Sequence, residues 1–119
     1  MMAELVTTGT WLVGPDQESA FVAAWADFAA WASSMPGAPT LRLGRDVDHP
    51  TRFVSFAAWG SRDAVRTWKG QPDFRARMAQ VLQHVEDFHA LELDVLATAH
   101  EGTKTVTAPA VLTTQDRRS

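Results

Sequence analysis

Apolar residues recur at helical spacing in two segments of the chain. The first series has intervals of four, three, four and three residues and comprises Phe21, Trp25, Phe28, Ala32 and Met35. It predicts one buried face of a helix that runs from residue 15, where proline suits the first helical position, to about residue 34. The second series has intervals of four, three and four residues and comprises Phe74, Met78, Val81 and Val85. It predicts a helix that begins at Pro72.

A shorter helix is predicted just before this second series. Ser61 is a favourable N-cap residue, and Ala64, Val65 and Trp68 follow it on a short helical face. The residues KGQP, 69–72, then interrupt the helix.

Four segments have the composition and alternation of β-strands: residues 5–13, 41–44, 52–59 and 88–97. The third is apolar on both faces, and the last alternates two sets of side chains. We expect the last strand to turn one set toward the helices, comprising His89, Leu91, Leu93 and Val95. We expect it to turn the other set away from them, comprising Phe88, Ala90, Glu92 and Asp94.

The resulting order, β-α-β-β-α-β, predicts an α+β protein with the ferredoxin-like arrangement. Right-handed crossovers give a four-stranded antiparallel sheet with both helices on one face. The uncovered face is expected to carry Val54, Phe56, Ala58, Phe88 and Ala90. Because this face is too apolar to remain in water, we predict a two-fold homodimer that packs through the sheet faces. Glu92 and Asp94 are expected near that contact, in ion pairs with Arg42 or Arg45.

Length and composition narrow the class of protein. The 119 residues predict one domain over residues 1–100, and a polar tail over 101–119, part of which forms a short extra strand. The net charge of −3 offers no broad basic field for nucleic acid or anionic lipid. The absence of cysteine excludes disulfides, thiolate nucleophiles and cysteine metal sites. The sequence shows no signal peptide pattern and no membrane-spanning apolar run, so we expect a cytoplasmic protein.

Residues 52–97, RFVSFAAWGSRDAVRTWKGQPDFRARMAQVLQHVEDFHALELDVLA, resemble the antibiotic biosynthesis monooxygenase family of dimeric α/β-barrel proteins. The resemblance extends in element order over roughly residues 4–100. It implies a ferredoxin-like fold that dimerises through its sheets. It also implies oxidation of polycyclic phenols, or degradation of heme, with O₂. Neither activity in that family uses a separate flavin or a permanently bound metal, since heme is a substrate there.

The resemblance also identifies individual positions. Trp59 matches the tryptophan that closes the third strand in the quinone-forming members, whereas Ser55 and Val65 stand where those enzymes have Asn and Tyr. An arginine on their second helix has its counterpart in Arg75 or Arg77. Trp68 matches a tryptophan of the heme-degrading members, whereas Met78 stands where they place a histidine ligand of iron. Their asparagine on the first strand has no counterpart, because this chain contains no Asn.

These residues suggest a pocket for a flat aromatic compound and a cofactor-independent oxidation. Trp59 and Trp68 are candidates to stack on the ring or donate an N–H, and Ser55 is a second donor. His89 is the candidate general base, because its pKa suits proton transfer at neutral pH. Arg77 is expected to hold an anion. The remaining expected substrate-binding residues are Trp11, Phe74 and Met78.

Other interpretations remain open. Both tryptophans also suit ordinary core packing, and His89 suits a buried, hydrogen-bonded histidine. The HVEDFH segment, residues 84–89, lacks the spacing of a helical zinc site, so no metal and no other cofactor is expected. The alternatives to a monooxygenase are a non-catalytic protein that binds a ligand or mediates dimerisation, and a heme-binding or heme-degrading relative with a different iron ligand.

Overall fold

The computed structural model describes residues 4–100 and 103–106. In chain order the elements are β1 (Leu5–Leu12), a 3₁₀ turn (Pro15–Gln17), α1 (Glu18–Ala32), β2 (Arg42–Arg45), β3 (Arg52–Trp59), α2 (Arg62–Lys69), α3 (Phe74–Leu82), β4 (Asp87–Asp94), β5 (Ala97–His100) and β6 (Thr103–Val106).

The strands form a four-stranded antiparallel sheet in the order β2-β3-β1-β4, and β5 pairs with β6 in a separate two-stranded sheet. Trp11 on the central strand β1 lies between Phe53 on β3 and Phe88 on β4. The helices pack on one face of the larger sheet, so the predicted ferredoxin-like α+β fold is confirmed.

The predicted helix faces match the observed core. Four residues of the first apolar series are buried in α1, and Met35 packs partly buried against the same core. Ser61 caps α2, because its Oγ accepts a hydrogen bond from the Ala64 backbone N–H at 3.1 Å. The predicted helix start at Pro72 was wrong: Pro72 lies in the turn between α2 and α3, and α3 begins at Phe74.

Aromatic rings fill the space between α1 and the sheet. The Trp11 and Phe21 ring centroids lie 5.5 Å apart, and those of Phe21 and Phe53 lie 5.2 Å apart. Trp59, at the end of β3, is fully buried against α2. Large aromatic side chains therefore anchor each helix to the sheet, which is the packing role that a core of this composition requires.

The predicted orientation of β4 was wrong. Strand register pairs Phe88 with Trp11 and Ala90 with Gly9, so this set of β4 side chains faces the helices. Glu92 and Asp94 also lie on the helix side, where they form ion pairs with α2 rather than with Arg42 or Arg45. The alternate set, which includes His89, Leu91 and Leu93, lies on the opposite face.

The face of the sheet without helices is apolar, although its composition differs from the expectation. Beside Val54, Phe56 and Ala58 of β3, it carries Leu91 and Leu93 of β4 instead of Phe88 and Ala90. Phe56, Leu91 and Leu93 are 43, 47 and 44 % exposed in the single chain. We refer to these five residues as the open face, and its burial by a second copy stays a prediction.

A strand within the predicted tail is present as β6, which pairs with β5 across the predicted boundary at residue 100. The division into a domain and a tail stays a prediction, and most of the tail lies outside the described residues. Among the helices of the described part, none is long and apolar enough to cross a membrane.

Candidate functional site

A cavity of about 230 Å³ lies between the helices and the sheet. The side chains that line it from the helices are Trp25, Phe28, Trp68, Lys69, Phe74 and Met78. The residues that line it from the sheet are Thr7, Thr8, Gly9, Trp11, Ser55, Phe56, Ala57, Phe88, Ala90 and Leu91, with Leu41 just before β2. A cavity of about 150 Å³ is known to hold one benzene ring, so this larger space can receive a flat aromatic ring system bigger than benzene.

The wall formed by the helices is aromatic. The Trp68 indole stacks on Trp59, with ring centroids 4.9 Å apart and planes 24° apart. Phe74 meets Trp68 edge to face at 5.1 Å, and Phe28 lies 5.8 Å from Trp68. Trp68 is therefore held rigidly from three sides while it still borders the cavity, as a stacking surface for a flat ligand requires.

The wall formed by the sheet depends on a glycine. A Cβ at Gly9 would lie 2.9 Å from Ser55 Oγ, 3.0 Å from Phe88 Cε1 and 3.1 Å from Trp11 Nε1. Gly9 thus leaves room for Trp11 to donate its indole N–H to Ser55 Oγ at 3.0 Å, and for Phe88 to pack on Trp11 with centroids 4.2 Å apart. Only glycine allows this close approach across the strand.

The cavity carries polar groups that remain able to donate hydrogen bonds. Trp68 Nε1 is buried and has no partner among the described residues. Ser55 Oγ accepts from Trp11, and Thr7 Oγ1 accepts from the Trp59 indole at 3.1 Å. Each hydroxyl still has its own proton to donate, because a hydroxyl is both a donor and an acceptor. The site is consequently rich in donors, which suits a ligand with oxygen acceptors.

Lys69 is the one charged residue on the described lining of this cavity. Its Nζ lies 2.7 Å from Glu92 Oε2, and the two side chains are about equally exposed. The hydrogen bond from Lys69, more than its charge, holds the pKa of the Glu92 carboxyl below its ordinary value. Arg62 and Asp94 form a second, looser contact between α2 and β4 at 3.4 Å.

The structure brings five of the predicted site residues together around this cavity: Trp11, Ser55, Trp68, Phe74 and Met78. Their positions agree with the expected pocket, while their roles stay predictions.

The other three predicted site residues do not line the cavity. Trp59 lies behind Trp68, fully buried, and its N–H is donated to Thr7. The Arg77 guanidinium lies over the Trp31 ring of α1, 5.0 Å from its centroid. His89 is exposed on the same side of the sheet as the open face, opposite Thr10. Its expected orientation was wrong, because the register of β4 with β1 turns it away from the helices.

No other histidine with a described side chain lines the cavity either. His84 Nδ1 lies 2.9 Å from Gln17 Oε1 near the end of α3, and His49 lies 3.6 Å from Asp46 in the turn before β3. The described residues include no group of three histidine or carboxylate side chains placed to hold a metal ion.

Sequence reasoning missed Gly9 and Lys69. A glycine inside a strand pattern often marks a close backbone approach, so Gly9 carried a usable signal. Lys69 offered only weak information, because a lysine at a helix end ordinarily has no role beyond its favourable charge.

A shallower groove adjoins the cavity along the outer side of α3. It shares Lys69, Phe74 and Met78 with the cavity and continues past Gln71 and Arg75 toward Leu82. The cavity therefore opens beside the end of α2 and the first turn of α3.

The family model described as antibiotic biosynthesis monooxygenase matches residues 5–80. No curated protein matches the sequence significantly.

Solved structures of the same fold include SnoaB from Streptomyces nogalater, a cofactor-independent oxygenase, in an asparagine-to-alanine variant. That structure is 22 % identical, with a TM-score of 0.70, and the match covers 82 % of this chain and 94 % of that one. A proposed antibiotic biosynthesis monooxygenase from Nitrosomonas europaea is 21 % identical, with a TM-score of 0.70 over 81 % of this chain and 93 % of that one. At these identities the structures establish the fold alone.

Proposed function

Because the chain belongs to the antibiotic biosynthesis monooxygenase family, we propose that it is a cofactor-independent monooxygenase acting on a flat aromatic small molecule with O₂. The observation that carries this proposal is the cavity of about 230 Å³ with an indole wall, together with the buried Trp68 N–H that has no partner among the described residues. An aromatic wall selects a planar ring, and donors without partners select oxygen atoms on it.

The chemistry suits a substrate that supplies its own electrons. A phenol or an anthrone-like ketone first loses a proton, and its electron-rich anion transfers an electron to O₂. For a methylene between two aryl rings, both hydrogens leave the carbon and one oxygen atom becomes a carbonyl. The other oxygen atom leaves as water, and the four electrons come from the substrate.

The residues around the cavity have distinct proposed roles in this reaction. Trp68 stacks on the ring, while the Ser55 and Thr7 hydroxyls and the Trp68 N–H stabilise the developing oxyanion. On the described lining there is no histidine or carboxylate, so the proton leaves to solvent rather than to a built-in base. Trp59 supports Trp68 from behind and acts as a positioning residue.

Oxygen consumption with anthrone and hydroquinones tests the proposal. We expect the protein to increase O₂ uptake, and labelling with ¹⁸O₂ to place one labelled atom in the anthraquinone formed from anthrone. Trp68→Phe and Ser55→Ala should each lower the rate about tenfold or more, because a donor to the oxyanion is lost. Trp31→Phe is the matched control, because Trp31 is absent from the cavity wall.

One result would contradict the proposal and favour a second function. The lack of a histidine or carboxylate on the described lining also suits a protein that binds an aromatic ligand without oxidising it. In that case the same compounds would bind, as calorimetry can measure, and O₂ would not be consumed above the rate without protein. Rates equally insensitive to Trp68→Phe and Trp31→Phe would exclude this cavity as the reaction site.

The homodimer is also part of the proposal. Two copies that pack their open faces together would bury Phe56, Leu91 and Leu93, which are nearly half exposed in the single chain. Sedimentation should give twice the chain mass, and Leu91→Arg should give a monomer. Val47→Arg, at an exposed position outside the sheet, is the control and should leave the dimer intact. A wild-type monomer at micromolar concentration would rule out this association.

A further inference from the structure

Lys69 lies where the cavity and the groove along α3 meet. Phe74 and Met78 are the other two residues that line both spaces. An aromatic ring held against Trp68 in the cavity would therefore direct a substituent past the Lys69 ammonium and into the groove.

The charged side chains that line the cavity and the groove all carry a positive charge. Among the described lining residues of the two spaces, the charged ones are Lys69 and Arg75, and both are cationic. Glu92 Oε2 lies 2.7 Å from Lys69 Nζ, but Glu92 lines neither the cavity nor the groove. The positive charges of Lys69 and Arg75 therefore favour an anionic substituent on the ligand over a cationic one.

The Trp68 indole gives a second indication of a ligand, which does not depend on these charges. Trp68 is 5 % exposed, lines the cavity, and its indole N–H has no acceptor among the described residues. A buried donor without a partner is costly in a folded protein, so an acceptor from a ligand or a water molecule is expected there.

We infer that the ligand is an aromatic carboxylate: the ring occupies the cavity against Trp68, and the carboxylate binds the Lys69 ammonium at the junction with the groove. This inference depends on the proposed function insofar as the cavity holds a flat aromatic molecule. In the free protein the Glu92 carboxylate contacts the Lys69 ammonium, and the ligand carboxylate shares or replaces that contact. Lys69 is thus the residue that selects the charge of the substrate.

Calorimetry with 2-naphthoate and its neutral isostere 2-naphthamide tests this inference. The wild type should bind 2-naphthoate about tenfold more tightly, as a charged hydrogen bond at a partly exposed site allows. Lys69→Gln should remove that preference by weakening 2-naphthoate and leaving 2-naphthamide unchanged. Arg66→Gln removes the same charge from the same helix at an exposed position outside both spaces, and it should keep the preference.

Glu92→Gln provides a second test, in which the binding of 2-naphthoate should strengthen rather than weaken. It removes the carboxylate that competes for Lys69, so 2-naphthoate should bind a fewfold more tightly while 2-naphthamide is unaffected. The Lys69–Glu92 pair is exposed, so all three variants should fold as the wild type does, which circular dichroism checks.

Different results would overturn the carboxylate inference and the proposed aromatic site. Equal binding of the two compounds by the wild type, or a preference that survives Lys69→Gln, would overturn the carboxylate inference and leave the aromatic cavity intact. Tighter binding of 2-naphthol than of 2-naphthoate would also overturn it, because an oxygen inside the cavity would then suffice. Binding of none of these compounds would overturn the proposed aromatic site itself.

Discussion

Gly9→Ala is the substitution that tests the architecture of the site most sharply. The added methyl would lie within 3.1 Å of three atoms that belong to Ser55, Phe88 and Trp11. The three side chains are coupled, because Trp11 donates to Ser55 and Phe88 packs on Trp11, so a shift of one disturbs the others. The backbone at Gly9 is ordinary for a strand, and the effect is therefore steric rather than conformational.

The size of the effect follows from two losses and one gain. Overpacking a close contact between buried side chains costs about 1–3 kcal/mol. Displacing Ser55 also breaks the 3.0 Å hydrogen bond from Trp11, and a buried donor without a partner costs about 1–3 kcal/mol. The lower freedom of the unfolded chain returns about 0.4–1 kcal/mol. We expect a net destabilisation of about 2–3 kcal/mol, because partial relaxation lessens both losses.

Thermal unfolding measures this change directly. For a domain of this size the melting temperature should fall by about 8–12 °C. Gly60→Ala is the matched control, since a Cβ at Gly60 meets no atom within 4 Å, and its melting temperature should rise by about 2–4 °C through the lower freedom of the unfolded chain alone. Both variants are compared at one protein concentration, so that any self-association affects them equally. A Gly9→Ala protein as stable as Gly60→Ala would refute the packing described for this wall.

Three further changes test other parts of the structure. Ser61→Ala removes the cap on the Ala64 N–H and should cost about 1 kcal/mol in urea unfolding, whereas an unchanged midpoint would mean that the cap contributes nothing. The lowered pKa of Glu92 stabilises the fold above the ordinary glutamate pKa. That contribution is lost as pH falls through the lowered value, so Glu92→Gln should show a shallower loss of stability in acid, and an identical acid profile would contradict the Lys69 contact. Trp59→Phe should lower stability by about 1–3 kcal/mol, measured by thermal unfolding, because it leaves a void and frees the Thr7 hydroxyl; a smaller loss than for Trp31→Phe would argue against its buried position.

Local patterns were sufficient to predict most of the fold. The spacing of Phe21, Trp25 and Phe28 defined the buried face of α1, and Ser61 marked the start of α2. These features depend on residues near each other in the chain, so the sequence carries them directly.

The orientation of β4 could not be read from the same kind of pattern. Phe88 and Ala90 on one side, and Leu91 and Leu93 on the other, are all apolar, so alternation alone does not choose a face. The choice follows from contacts distant in sequence: Gly9 leaves room beside Phe88, and the cations of α2 reach the carboxylates of β4. A shift of one residue in register would have reversed every side chain.

The candidate site was predictable to a similar extent. The aromatic residues Trp11, Trp68 and Phe74 line one cavity, since large rings at strand and helix ends converge on the core, and their role in binding stays a prediction. Assigning His89 to that pocket failed together with the orientation of β4. Lys69 was not identified, because its importance arises from the cavity that opens beside it rather than from its neighbours in the sequence.

A crystal structure of the protein with 2-naphthoate would test the central claim most directly, namely that the cavity beneath the helices receives a flat aromatic ligand. The account predicts electron density for the ring beside Trp68, with the carboxylate within hydrogen-bond distance of Lys69 Nζ. A cavity that stays free of ligand while 2-naphthoate binds elsewhere, for example on the open face, would contradict it.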